Sequence, residues 1–375
     1  MTDVIIAGAG PAGTIAALVL AQAGVRVTLF DRASFPRHKL CGDTVNPGAR
    51  AVLRRLGLDH VTAGGLSVKG MVVSGERGVR VIGAYEGECS GVAISRRVLD
   101  ERLLTAAAAA GVEVQQGVLA QAPLRSDDGR AVTGLEIVGP SGRVDRQTAR
   151  VTIAADGRSS RIARATDLSA TPRWPRRWAF GAIFSGVNGL SAFGEMHVRD
   201  RRYLGIAPLP GGYANGCVVT GDRAALRDPD LLMTTIRNDP EIAGRFARAN
   251  RVSDVAVLGP LAVDARAAGM PGLLLAGDAA GFIDPMTGDG LRFAFRGGEL
   301  AALEALRVLE SGWRDAHLRL DVERRREFAA KWRFNRALRA LAASPAAVRA
   351  AGVSAALLPP LLRRVIQYAG DVHLA

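Results

Sequence analysis

The sequence predicts an α/β fold: a parallel-stranded domain interrupted by further strand-like segments and followed by C-terminal helices. Three observations predict it. The chain opens with a strand–glycine turn–helix–strand unit. Two later apolar strands, near residues 151 and 273, each run into an Asp and a Gly followed by a helix start. Between and before those strands lie aromatic and β-branched stretches with no helical period.

Residues 4–32 form the opening unit. Val4-Ile5-Ile6-Ala7 reads as a short buried strand, and Gly8-Ala9-Gly10-Pro11-Ala12-Gly13 follows at once. A helix is expected from about Ala12 to Ala23, stopped by Gly24, and then a strand from Val25 to Phe30. The three glycines permit a tight turn, a close approach of backbone to a pyrophosphate, and close helix–strand packing. Ala12 and Gly13 lie in the first helical turn, where amides without partners favour phosphate. Asp31, at the tip of the second strand, is placed to accept hydrogen bonds from ribose hydroxyls, with Arg32 beside it. This unit predicts a dinucleotide site but does not choose between FAD and NAD.

The later strand ends make that choice. Val151-Thr152-Ile153-Ala154-Ala155-Asp156-Gly157 is an apolar strand running into Asp-Gly. Leu273-Leu274-Leu275-Ala276-Gly277-Asp278 is another, and Pro285-Met286-Thr287-Gly288-Asp289-Gly290-Leu291 then opens a helix expected to reach about Leu309. A carboxylate at a strand end can hold a polyol, and Asp278 is the candidate for a ribityl chain. Amides from Gly288 to Leu291 suit the negative charge at the N1/C2-carbonyl edge of a reduced flavin. An NAD site has no use for this second helix terminus.

Together the three fingerprints resemble those of the p-hydroxybenzoate hydroxylase-like FAD superfamily, over residues 1 to about 310. The resemblance implies a glutathione-reductase-like FAD-binding Rossmann domain carrying an inserted mixed β-sheet substrate domain. A fourth element, Phe35-Pro36-Arg37-His38-Lys39-Leu40-Cys41-Gly42-Asp43, resembles the FPRxKxCG segment of the geranylgeranyl reductase and flavin-dependent halogenase branch. In that branch the stretch lies along the flavin, which implies contacts from Lys39, Cys41, Gly42 and Asp43. Arg96 matches the family arginine that precedes a cofactor-bordering helix, with Arg97 the alternative if the register slips by one.

The expected division is a discontinuous FAD-binding domain (residues 1–67, 95–165 and 255–310), a substrate domain (68–94 and 166–254) and a helical subdomain (311–375). Geranylgeranyl reductases carry a YxWxFP segment along the isoprenoid tunnel. Here the stretch is Tyr203-Leu204-Gly205-Ile206-Ala207-Pro208, so Trp and Phe have become Gly and Ala and room is opened. The WxWxIP segment of tryptophan halogenases is missing, which demotes halogenation. Glu195 and His197, one residue apart, share a face if they lie on a strand. Facing the flavin they would form a carboxylate–imidazole pair for proton transfer; facing elsewhere they are an ordinary polar pair.

Composition narrows the remaining classes. The formal charge is +13, and of 49 basic residues only Lys39, Lys69 and Lys331 are lysines. The arginines are scattered rather than clustered, so nucleic acid is not expected as a partner. Three cysteines with no CxxC pair predict neither a disulfide framework nor a metal site. The Met1–Ile6 start shows no secretory leader, and the apolar stretch from Ala350 to Leu362 is too short to span a bilayer and contains Pro359-Pro360. A cytoplasmic protein without a transmembrane segment is expected, with peripheral membrane contact held less favoured than a solvated helix face. The functional expectation is an FAD-dependent monooxygenase, with NAD(P)H as transient electron donor, acting on a bulky cyclic or aromatic small molecule. The alternative is a geranylgeranyl-reductase-like reductase of carbon–carbon double bonds; further alternatives are a halogenase and a flavin-binding protein without turnover.

Overall fold

The computed structural model describes residues 2–76, 78–87, 89–222, 228, 230–344, 346–351 and 358–374. A six-stranded sheet has the order Gly269–Met270, Leu273–Leu275, Val151–Ala154, Val4–Ala7, Val27–Asp31, Glu113–Gln116. Its five longer strands run parallel. The strands starting at Val4, Val151 and Leu273 are buried throughout, as expected for a sheet covered on both faces.

One face carries the helix Pro11–Gln22, packed between the helices Arg96–Ala109 and Gly290–Ser311. The packing is close because Gly298 has no side chain: a Cβ there would stand 2.2 Å from the Ala12 carbonyl oxygen. The other face carries a three-stranded antiparallel sheet formed by Leu119–Arg125, Val132–Val138 and Val144–Thr148. Leu135, Ile137 and Ile162 seal that side against Ile5 and Phe30.

An eight-stranded mixed sheet forms the second layer. Its order is Asn250–Arg251, Trp178–Ser185, Tyr213–Thr220, Arg202–Leu209, Gly194–Arg199, Gly70–Ser74, Arg80–Ala84, with Ala256–Leu258 also pairing with Trp178–Ser185. The two-residue side-chain period divides its residues between two environments. Leu204, Ile206 and Val218 pack on Leu232, Ile236 and Phe246, from the helix Leu231–Arg237 and the turn after it. Met196, Tyr203, Cys217 and Val219 face the parallel-sheet layer. The long helix Ala316–Leu341 closes the molecule, and Arg324 on it is buried, donating to the carbonyls of Leu275 (3.5 Å) and Ala280 (2.7 Å). The last helix, Pro359–Ala369, packs on the edge strand Arg80–Ala84, with Ile366 filling the space over Gly83. Among the described residues no helix is long and apolar enough to cross a membrane, and no cluster of His, Cys, Asp or Glu could hold a metal.

Candidate cofactor and substrate site

The glycine turn after Val4–Ala7 is built as its sequence requires. Gly8 has φ +98° and a Cβ there would lie 2.5 Å from the Ala155 oxygen, and one on Gly13 would lie 1.9 Å from the Gly8 oxygen. Gly10 differs: the nearest atom to its absent Cβ is an Arg37 guanidinium nitrogen at 3.6 Å, so its face is open beside a cation. The first-turn amides of Ala12 and Gly13 find no acceptor among the described residues. Asp31 accepts from the amides of Ala9 (2.9 Å) and Ala33 (2.8 Å), which ties the turn to the second strand; Arg32 is exposed.

The other strand ends converge on the same place. Asp278 accepts no side-chain hydrogen bond among the described residues and is paired only through space with Lys39 and Arg158. Gly277, ahead of it, has φ +58° and packs on Ala12. Gly157 (φ +83°) faces the Lys39 ammonium, and burial lowers the pKa of Lys39 while Asp278 opposes that shift. Asp156 uses Oδ2 to accept from the Arg161 amide (2.8 Å) at the start of the helix Arg161–Ala165, whereas its buried Oδ1 has no partner. Burial raises its pKa.

At the Pro285–Gly288 turn, the Gly288 amide is committed to the Pro285 carbonyl (3.0 Å). The amides of Gly290 and Leu291, which start the helix Gly290–Ser311, find no acceptor among the described residues. The Asp289 amide likewise finds no acceptor among the described residues, so of the expected amides from Gly288 to Leu291 only that of Gly288 is committed. The Asp289 side chain is not in this opening. It is buried, accepting from Thr287 (2.7 Å) and Asn335 (2.9 Å) with Lys331 at 3.8 Å, and so joins the turn to the long helix.

The Lys39–Asp43 segment crosses between the two layers. Cys41 and Gly42 line the cavity, and burial raises the Cys41 pKa, so the thiol stays protonated. Asp43 (φ +49°) is buried behind them, accepting from the Arg96 amide (2.9 Å) and from Asn215 on the large sheet (2.5 Å). It braces the segment rather than lining the opening. Burial, partly offset by those bonds, lifts its pKa to about 6. Arg96 lines the cavity, held by a two-pronged contact with Asp100 (2.7 Å for each prong). Arg97, the alternative, is exposed and does not line the cavity.

A cavity of 670 Å³ starts at Gly10, Ala12 and Asp278, crosses the large sheet and ends among C-terminal apolar residues such as Leu341, Val348 and Leu361. Gly205 and Ala207, the positions of the lost aromatics, both line it. A Cβ on Gly205 would meet only the Glu195 oxygen, at 3.9 Å, so the space is real. Sequence reasoning missed a buried trio here. Tyr203 donates to Asp284 Oδ1 (2.6 Å), and Arg177 donates to Asp284 Oδ2 (3.2 Å) and to the Arg339 carbonyl (3.0 Å). Asp284 also accepts from the Met286 amide (3.1 Å), so it pins the Pro285 turn to the sheet. Its signal was available: an acid directly before Pro285 in an otherwise apolar stretch.

Glu195 borders the cavity, where its carbonyl oxygen faces Gly205, but its side chain and His197 are turned to the other face of the sheet. Cross-strand pairing puts Glu195 opposite Ile206 and His197 opposite Leu204, on the helix-covered face, while Met196 and Val198 line the cavity. His197 contacts Glu195 (2.9 Å) and Ser74 (2.8 Å), and Arg245 grips Glu195 with bonds of 2.5 and 2.8 Å. Although burial acts in the opposite direction, those donors hold Glu195 down at about 2. Period-two reasoning placed the pair on one face correctly but could not say which face.

The open Gly10 face beside Arg37, the free amides at two helix starts and the uncommitted Asp278 carboxylate fit a dinucleotide with a polar second half. The class of protein so defined is a flavoprotein of the glutathione-reductase-like α/β kind. Comparison with known families agrees: the chain belongs to the FAD binding domain family, whose model matches residues 1–334. It is 33% identical over 328 residues to digeranylgeranylglycerophospholipid reductase 1 of Methanopyrus kandleri, covering 82% of this chain and 81% of that one. It is 32% identical over 323 residues to menaquinone reductase of Mycobacterium tuberculosis, covering 80% and 75%. Among solved structures, a geranylgeranyl bacteriochlorophyll reductase-like protein of Thermoplasma acidophilum superposes with TM-score 0.80 at 23% identity, covering 92% and 89%. A flavin-dependent brominase superposes with TM-score 0.84 at 21% identity, covering 98% and 93%. At these identities the structural likeness speaks for the fold. The protein is an FAD-dependent oxidoreductase, and its sequence relatives favour the reductase alternative over the expected monooxygenase.

Proposed function

We propose that this protein reduces carbon–carbon double bonds in an apolar, isoprenoid-bearing lipid, using FAD with NAD(P)H as the electron donor. The observation that carries this reading is the single cavity joining the dinucleotide opening to an apolar far end. The reductases named above, at 32–33% identity, support it. When bound and reduced by NAD(P)H, FAD would supply the hydride, and the second hydrogen of each reduced bond would be added as a proton. The residues that would hold it are Gly10, Ala12 and Gly13 at the pyrophosphate, Asp31 at the ribose, Asp278 and Lys39 at the polyol, and the Gly290 and Leu291 amides at the ring.

The chain's own contribution is orientation, exclusion of water and retention of protons. Apolar walls keep water from the reacting carbons. Tyr203, Cys41 and Cys217 line the cavity, and burial raises the pKa of each, that of Cys217 to about 12. All three hold their protons at neutral pH. The absent bulk at Gly205 and Ala207 admits a chain or ring wider than an aromatic-walled tunnel would.

The test is product mass. FAD-loaded protein, a reductant and an unsaturated isoprenoid lipid should yield products gaining two hydrogens per reduced bond without oxygen. Products that gain oxygen under air, with none reduced anaerobically, would sink the reading and restore the monooxygenase. Separately, Asp278→Ala should weaken FAD affinity by at least about tenfold, the loss of one charge-assisted hydrogen bond. Unchanged affinity would remove Asp278 from the polyol site.

A further inference from the structure

We propose that the C-terminal face around the helix Pro359–Ala369 docks on an anionic lipid bilayer, so that the apolar end of the cavity opens onto the membrane. The inference rests on the proposed function for its purpose but not for its evidence. Leu358 and Leu361 line the cavity and are at the same time 57% and 55% exposed, so the cavity's apolar wall continues onto the outer surface. Leu361 and Arg364, three residues apart, lie along one side of the helix, and Leu358 is the residue just before its first turn.

The chain segment that forms this rim is basic, with its nearest acids, Glu327 and Asp371, at the two ends of the segment. From residue 328 to 370 the chain contains seven Lys and Arg and no Asp or Glu. Lys331 and Arg339 are buried and Arg336 pairs with Asp264, whereas Arg333, Arg349, Arg363 and Arg364 are exposed and form no ion pair among the described residues. Trp174, 69% exposed between the exposed Arg173 and Arg176, lies on a loop whose Pro175 carbonyl is bonded by Arg339, next to the cavity-lining Leu338. Exposed leucines, an exposed tryptophan and unpaired arginines around an apolar opening match the acyl chains, interface and anionic headgroups of a bilayer. The scattered positive charge of the sequence thus has one stretch, residues 328–370, that carries no acid of its own.

The experiment is cosedimentation of the full FAD-loaded chain with vesicles, without substrate or turnover. Binding should be stronger to phosphatidylglycerol-containing vesicles than to phosphatidylcholine alone and should weaken in high salt. Arg363→Glu with Arg364→Glu should reduce binding by at least about tenfold. Leu358→Ser with Leu361→Ser should reduce it with flavin absorbance and circular dichroism unchanged. No vesicle binding, binding indifferent to these variants, or a solution dimer that buries Leu358 and Leu361 would each overturn the proposal. A membrane-bound protein that reduces no double bond would instead sink only the proposed reaction.

Discussion

The two faces of the eight-stranded sheet use the same backbone for opposite purposes. On the cavity face, neighbouring strands place Gly181, Cys217, Gly205, Met196 and Val73 in one row. Two of these five are glycines and none is charged. On the other face, Arg245, Glu195, His197, Ser74, Arg199 and Asp239 form a continuous chain of ion pairs and hydrogen bonds. The most enzyme-like side chains of the sheet therefore hold its back together, and the working face is defined by what is missing. Buried polar chemistry alone does not mark a catalytic face, because a satisfied network rigidifies a sheet equally well.

Breaking the back face should have the largest effect. Arg245→Ala leaves Glu195 buried without its bidentate partner, and loss of one partner from such a pair costs about 3 kcal/mol or more. Denaturant unfolding should show that loss while FAD affinity in the folded protein stays near wild type. Loss of FAD affinity with stability unchanged would reverse the assignment of the faces.

The pH dependence separates the faces with opposite signs. Glu195 titrates near 2 in the folded protein against 4.5 ordinarily, so its contribution is present above 4.5 and is lost as pH falls toward 2. By linkage that is worth about 3 kcal/mol. Asp43, on the cavity side, has a folded value of about 6 against 3.8. Its contribution is present below 3.8 and is lost as pH rises through 6, also about 3 kcal/mol. In FAD-free protein, Asp43→Asn should remove a decline in stability between pH 4 and 6, and Glu195→Gln should remove an acid-side loss below pH 4.5. Superimposable difference curves for the two variants would defeat the contrast.

A smaller effect is expected where the faces meet the flavin-side turn. Tyr203→Phe removes one hydrogen bond to Asp284, which Arg177 and the Met286 amide still satisfy, so the loss should be about 1 kcal/mol. A loss several times larger in thermal unfolding would mean that Tyr203 carries the junction.

The parallel sheet and its glycine turns were legible in the sequence because their constraints are local. A positive φ at Gly8, an open face at Gly10 and a carboxylate at the strand end each leave a residue-type signature within a few positions. The helix expected from Leu291 to about Leu309 runs from Gly290 to Ser311 for the same reason. The large sheet was harder. Its pairing of Gly194–Arg199 with Gly70–Ser74 joins segments more than a hundred residues apart, and which face of Glu195 and His197 is covered depends on the helix Leu231–Arg237. The position of the Asp289 side chain was not legible because its partners, Asn335 and Lys331, come from the distant long helix.

Restoring the missing bulk is the gentlest change to the fold and the most direct test of the cavity face. Gly205 has no positive φ to protect, and a Cβ there meets nothing closer than 3.9 Å. Tryptophan is favoured on a pleated surface, so Gly205→Trp should leave unfolding stability within about 0.5 kcal/mol of wild type. The indole would enter the cavity between the dinucleotide opening and the apolar end. FAD binding should therefore persist, while kcat/KM falls at least about tenfold for wide substrates and less for a linear chain, as expected when a pocket changes shape rather than chemistry. Equal loss for wide and linear substrates would mean that the room at Gly205 does not select the substrate.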